Sequence, residues 1–108
     1  MRRNIDTPVI LGLKVRVDPR HSDQVLQFLD NCRTDMNRLR SAMVTADNAA
    51  IQDLGNRLRF AGDHLGFEFI SEVGGEIERA AQRRDESAIR ARLRTLQIFL
   101  RHVDVVVE

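Results

Sequence analysis

The sequence predicts an all-α fold, an antiparallel up-down four-helix bundle with short β-strands at its N- and C-terminal ends. Three observations predict it. Apolar residues recur at spacings of three and four through most of the chain, the period of one helix face. The pattern divides into four stretches separated by brief turn signals, so consecutive helices should be antiparallel neighbours. Only at the two ends does it give way to alternation or to a β-branched run. With 108 residues, the chain is read as one domain, residues 1–108, with strand segments at 1–18 and 104–108.

The opening "VILGLKVRV", Val9 to Val17, puts Leu11, Leu13, Val15 and Val17 on one face and Gly12, Lys14 and Arg16 on the other, as in a half-buried strand. Asp18-Pro19 ends it. A first helix runs from about Ser22, a candidate N-cap, to Met43, with Val25, Phe28, Leu29, Cys32, Met36, Leu39 and Met43 on its apolar face. Thr45 or Asp47 can cap a second helix whose apolar positions are Ile51, Leu54, Leu58, Ala61 and Leu65, and Gly66 stops it. The third carries Ile70, Val73, Ile77 and Ala81 and stops near Asp85. The fourth starts at about Ser87, and its seam is Ile89, Leu93, Leu96, Leu100 and Val103. The closing "HVDVVVE" is strand-like. The two terminal strands can pair, but a lone two-stranded ribbon is marginal unless it packs on something larger.

A net charge of +1 exerts no general pull towards nucleic acid or anionic membranes. The one cysteine, Cys32, excludes an internal disulfide and fits a reducing cytoplasm. No apolar run approaches the roughly 20 residues that span a bilayer, and "MRRNIDTPV" lacks the apolar centre of a secretory signal, so the expected location is cytoplasmic. His21, His64 and His102 fall on three different helices without the close pairings of zinc sites, and no Glu is followed three residues later by His. No metal or cofactor is expected. Glu68, Glu72, Glu76 and Glu78 read as a solvated acidic face of the third helix. Neither a nucleophile elbow nor a phosphate-binding glycine loop is present. Gly74-Gly75, inside a helical pattern, marks close helix packing in preference to a ligand loop, at a propensity cost of about 1 kcal/mol each. Arg79, Arg83, Arg84, Arg90, Arg92, Arg94 and Arg101 gather on the last two helices against only Asp85 and Glu86. They have no aromatics among them to stack on bases, and no nucleic-acid partner is expected.

Phe60 fits a plain bundle poorly. At roughly 100° per residue, Ile51, Leu54, Leu58, Ala61 and Leu65 set the core direction of the second helix. Asn56 then lies almost diametrically opposite, with Arg59, Phe60 and Asp63 around it. Two explanations are open. The ring folds down against a neighbouring helix or an Arg stem, as isolated apolar surface residues do. Or it centres a partner-binding surface, since an exposed aromatic beside Arg is how interface hot spots are built.

The stretch around it, "LGNRLRFAGDHLGF", Leu54 to Phe67, resembles the signature of histidine-containing phosphotransfer (HPt) domains. Their second helix carries His-x-x-Lys-Gly, and one single-domain branch reads roughly Leu-Gly-His-x-x-Lys-Gly-x-Gly-x-x-Tyr-Gly-Phe. The likeness extends upstream through "FLDNCRTDMNRLRSAM" and downstream through "ISEVGGEIERAAQRRD" to "VDVVVE", about the whole chain. It implies a four-helix bundle in two-component signalling, with a response-regulator receiver domain or a histidine kinase as partner. In the family a surface imidazole takes the phosphoryl group from a receiver's aspartyl phosphate and passes it to another receiver.

The departures fall at the chemistry. The family's histidine maps to Asn56, its lysine to Arg59 and its glycine to Phe60. An amide nitrogen has its lone pair delocalised into the carbonyl, so it is neither nucleophile nor base near neutral pH. Arg59 keeps a positive charge for an anionic partner surface. The family's glycine leaves room for the receiver to close on the imidazole, which a benzyl group obstructs or repacks. Gly62, Gly66 and Phe67 match the pattern. The resemblance therefore implies a degenerate domain that binds without transferring phosphate. Asn56, Arg59, Phe60 and Asp63 form its docking face, no residue is catalytic, and the state is a monomer or weak homodimer. Two alternatives stay open. His64, eight residues from Asn56 on the same helix and about 80° round, is the other candidate phosphoacceptor, although it lacks the Lys and Gly context. Or the bundle has left signalling and uses Phe60 to self-associate.

Overall fold

Four helices follow one another with almost nothing between them in the computed structural model, which describes residues 14–107: α1 (Ser22–Val44), α2 (Asn48–Leu65), α3 (Glu68–Gln82) and α4 (Glu86–His102). The connections are residues 45–47, 66–67 and 83–85, which suit antiparallel neighbours. Each helix packs on the next, and α4 closes on α1. This is the all-α four-helix bundle that the periodicity predicts.

All three turns use one geometry. The residue that leaves each helix, Ala46, Gly66 or Arg84, has a positive φ of 55°, 81° or 56°. The N–H after it returns to a carbonyl five residues back: Asp47 to Ala42 at 2.8 Å, Phe67 to Gly62 at 2.7 Å and Asp85 to Ala80 at 2.9 Å. At two of the turns an aspartate then starts the next helix. Asp47 accepts from the Ala50 N–H and Asp85 from the Ala88 N–H, each at 3.1 Å. Thr45 does not cap; its hydroxyl turns back to the Ser41 and Ala42 carbonyls. Nor does Ser22, which is the first residue of α1 and donates to the Pro19 carbonyl at 3.1 Å.

The core follows the apolar stripes, with Leu39, Leu58, Ile70, Ile77, Ile89 and Leu96 almost wholly buried. Two aromatic pairs join the helices, Phe28 with Phe67 at 5.2 Å and Phe69 with Phe99 at 4.9 Å between centroids. Met43, Ala61, Leu65 and Val103, expected in the apolar faces, are only partly buried against this core. Polar ties add to it: buried Asp35 of α1 faces Arg57 of α2 at 3.6 Å and Arg38 at 3.5 Å. Arg33 of α1 donates to the Leu100 carbonyl at 3.1 Å, satisfying a last-turn acceptor of α4.

The tightest backbone approach is between α2 and α3, where glycine faces glycine. A Cβ at Gly55 would stand 2.8 Å from the Gly74 carbonyl oxygen, and one at Gly74 would stand 2.5 Å from the Arg59 nitrogen. Gly74 thus has the packing role expected of it, whereas Gly75 faces side chains.

At the ends, β1 (Lys14–Val17) and β2 (Asp104–Val107) pair in parallel, Lys14 opposite Asp104 and Val17 opposite Val107. An even number of helices brings Ser22 and His102 to the same end of the bundle. Strands that simply continued the helix axes would run antiparallel, so the parallel pairing requires the chain to reverse at a joint. The joints are the 3-10 turn Pro19–His21, where Asp18 accepts from the Arg20 N–H at 2.8 Å, and the extended Val103. Val105 packs onto the core and gives the ribbon the support that two strands alone lack. Residues Val9 to Leu13 of the expected N-terminal strand lie outside the described residues, as does Glu108.

Candidate functional site

The glycines decide which flank of α2 turns towards α3. The buried set of α2 is Ile51, Leu54, Gly55, Leu58 and Gly62. A helical wheel drawn from apolar side chains gives Gly55 and Gly62 no weight, yet α3 sits on both, so the core direction swings towards Asn56 and Arg59. Asn56 is therefore not opposite the core, as the wheel placed it, but half-buried beside α3. Phe60, 59% exposed, holds the outer position.

Glu78 of α3 organises this flank. Its Oε2 accepts from Asn56 Nδ2 at 3.0 Å, and its Oε1 accepts from Arg59 Nε at 3.1 Å. The Glu78 side chain is 17% exposed and that of Arg59 39%, so one sheltered carboxylate holds two residues almost a turn apart on the facing helix. The expectation that Glu78 shares a solvated acidic face with Glu68, Glu72 and Glu76 is corrected here: those three are exposed, and Glu78 is not. The sequence carries a signal for it. At roughly 100° per residue, Glu78 falls about 80° from Glu68 and farther from Glu72 and Glu76, on the flank that holds Ser71 and Gly74.

The Arg59 guanidinium carbon lies 4.5 Å from the centroid of the Phe60 ring, a cation–π contact of about 0.5–1 kcal/mol at an exposed site. The ring thus leans on its own neighbour and leaves more than half its surface open. Asp63 is exposed farther along and stays outside the clamp; its carbonyl accepts the Gly66 N–H at 3.3 Å. The structure therefore brings together Asn56, Arg59, Phe60 and the unforeseen Glu78, and leaves Asp63 at the rim. His64 is exposed in the last turn of α2.

Elsewhere the arginines of α3 and α4 are partly neutralised: Arg92 pairs with Glu76 at 3.4 Å, Arg90 with Glu86 at 3.3 Å, and Arg83 approaches Asp85 at 4.0 Å. Glu76 thus joins Asp85 and Glu86 in offsetting the arginines of the last two helices. His21 lies in the 3-10 turn before α1 and not on a helix. Among the described residues, no group of three or more His, Cys, Asp or Glu is placed to hold a metal ion. Burial, reinforced by Asp35 and opposed by Arg33, pushes the Cys32 thiol up to about 12, which keeps it neutral and unreactive. A cavity of about 220 Å³ opens between the first and third turns, over Met43, Ile51 and Ile89. No helix among the described residues is long and apolar enough to cross a membrane.

No protein-family model, curated protein or solved structure matches this chain.

Proposed function

We propose that this chain is a phosphotransfer-like domain without a phosphoacceptor, acting in two-component signalling by binding a receiver domain or histidine kinase in the cytoplasm. The observation that supports it best is Asn56. It stands where "LGNRLRFAGDHLGF" resembles the phosphoacceptor signature, and its amide nitrogen is engaged as a donor to Glu78. Such a group has no lone pair to attack an acyl phosphate. Phe60 supplies open apolar surface, Arg59 supplies charge, and Asp63 edges the face. A domain of this kind occupies a receiver and competes with true phosphotransfer.

The test incubates the purified chain with a phosphorylated receiver, using Asn56→His as the comparison. The expected result is no acid-labile label on the wild type; label there sinks the proposal, and its loss in His64→Ala assigns transfer to His64. The exposure of Phe60 also favours self-association. Sedimentation over a concentration series separates that reading, which requires a dimer that Phe60→Ala abolishes.

A further inference from the structure

The docking face leaves Arg79 and Gly75 of α3 without a part, yet both lie beside the Glu78 clamp. A Cβ on Gly75 would meet Arg59 Cδ at 3.2 Å and Arg79 Nη1 and Nη2 at 3.3 and 3.8 Å. The stem of Arg59 and the guanidinium of Arg79, one from each helix, therefore both lie over Gly75, which they leave buried. Arg79 is exposed and forms no ion pair with the described residues. Arg59 uses its Nε on Glu78, and its terminal nitrogens make no hydrogen bond with the described residues. Both Glu78 oxygens are occupied, so this carboxylate offsets one of the two cations.

What remains is a basic cradle with forked N–H donors and one positive charge in excess over Glu78. Guanidinium forks match the oxygens of carboxylate and phosphoryl groups. A carboxylate, with two oxygens and one charge, is satisfied by one fork. A phosphoryl group, with three oxygens and close to two charges, engages two.

We propose that Arg59 and Arg79 clamp, over Gly75, a phosphoryl group carried by the partner, so that the domain distinguishes a phosphorylated receiver from an unmodified one. The inference rests on the docking reading above. No bond to phosphorus forms or breaks; the group stays on the partner's carboxylate.

Calorimetric titration of the full chain tests it, with a panel of receiver domains from the source genome, each unmodified and carrying beryllofluoride as a stable mimic of aspartyl phosphate. Inorganic phosphate alone is the third titrant. The wild type is expected to bind the beryllofluoride form of its receiver at least about tenfold more tightly. Arg79→Gln, at an exposed position, and independently Gly75→Ser, which puts a side chain into the cradle, are expected to bring the ratio close to one, with circular dichroism checking each fold. Equal binding of the two forms by the wild type overturns the clamp and leaves the docking reading standing. Binding of neither form by any receiver overturns both. A ratio unchanged in both variants overturns the clamp, as does a response to inorganic phosphate without any difference between receiver forms, which makes the cradle a site for free oxyanions.

Discussion

Asn56 of α2 and Glu78 of α3 share a 3.0 Å hydrogen bond, at the position that the proposed phosphotransfer-like reading assigns to the phosphoacceptor. The same carboxylate takes Arg59 at 3.1 Å. The seam between α2 and α3 is thus closed by backbone contact at the glycines and by a polar clamp at its edge, and the two devices differ in energetic weight.

The clamp should be the weaker device. Glu78→Gln keeps an acceptor for Asn56 but removes the charge opposite Arg59, which is 39% exposed and so screened by solvent. The expected loss of stability is about 0.5–1 kcal/mol, smaller at high salt. Urea unfolding at low and high salt measures it.

The glycine contact should be the stronger. In Gly74→Ala the new methyl meets the Arg59 nitrogen at 2.5 Å and the Gly55 oxygen at 2.7 Å. Backbone cannot rotate away, so the helices must part, at a cost of about 1–3 kcal/mol or more. Gly75→Ala meets only flexible arginine side chains. There the gain in helix propensity, about 1 kcal/mol, offsets the crowding and leaves stability near or above the wild type. The difference between these adjacent substitutions, read from paired urea midpoints, is the check.

The three turns predict opposite signs for opposite exchanges. Ala46 and Arg84 adopt the left-handed conformation with φ of 55° and 56°, so Ala46→Gly and Arg84→Gly should each stabilise by about 0.5–1 kcal/mol. Gly66 has φ 81°, and a methyl group at this position would meet nothing within 4 Å. Gly66→Ala should therefore destabilise by about 1 kcal/mol through the backbone alone. Thermal midpoints of the three variants test the set.

Cys32 predicts an alkaline limit. In the unfolded chain its thiol ionises near the ordinary value of 9.0, whereas burial holds it protonated to about 12 in the folded chain. Between those values the unfolded state releases a proton that the folded state keeps, so stability falls as pH rises. The contribution is fully present below pH 9.0, and the slope above it reaches up to about 1.4 kcal/mol per pH unit. The chain has no Tyr and Lys14 as its one lysine, so few other groups titrate there. Urea midpoints at about pH 8 and about pH 10.5 should converge in Cys32→Ala relative to the wild type.

How far the site was legible depends on what each residue does. Asp47 and Gly66 were readable as helix boundaries because their chemistry offers one favoured geometry each. Ser22 and Thr45 were not resolved by residue type, because their hydroxyls have nearby carbonyls as rival partners. Asn56, Arg59 and Phe60 stood out as departures in a pattern. Glu78 did not, since a glutamate on an amphipathic helix is ordinarily solvated, and only its angular separation from the other acids hinted otherwise.

By itself the sequence determined the four helices and their order, because the apolar period and the turn residues act locally along the chain. It also determined that no imidazole stands at position 56. Tertiary structure alone decided the roll of α2 against α3, because backbone contact at Gly55, Gly62 and Gly74 involves no side chain that a hydrophobic pattern can register. That roll carries Asn56 and Arg59 to Glu78 and lays the Arg59 stem over Gly75. The parallel pairing of β1 with β2 was likewise decided there, since strand direction depends on how the chain reverses at its joints and not on the composition of either strand.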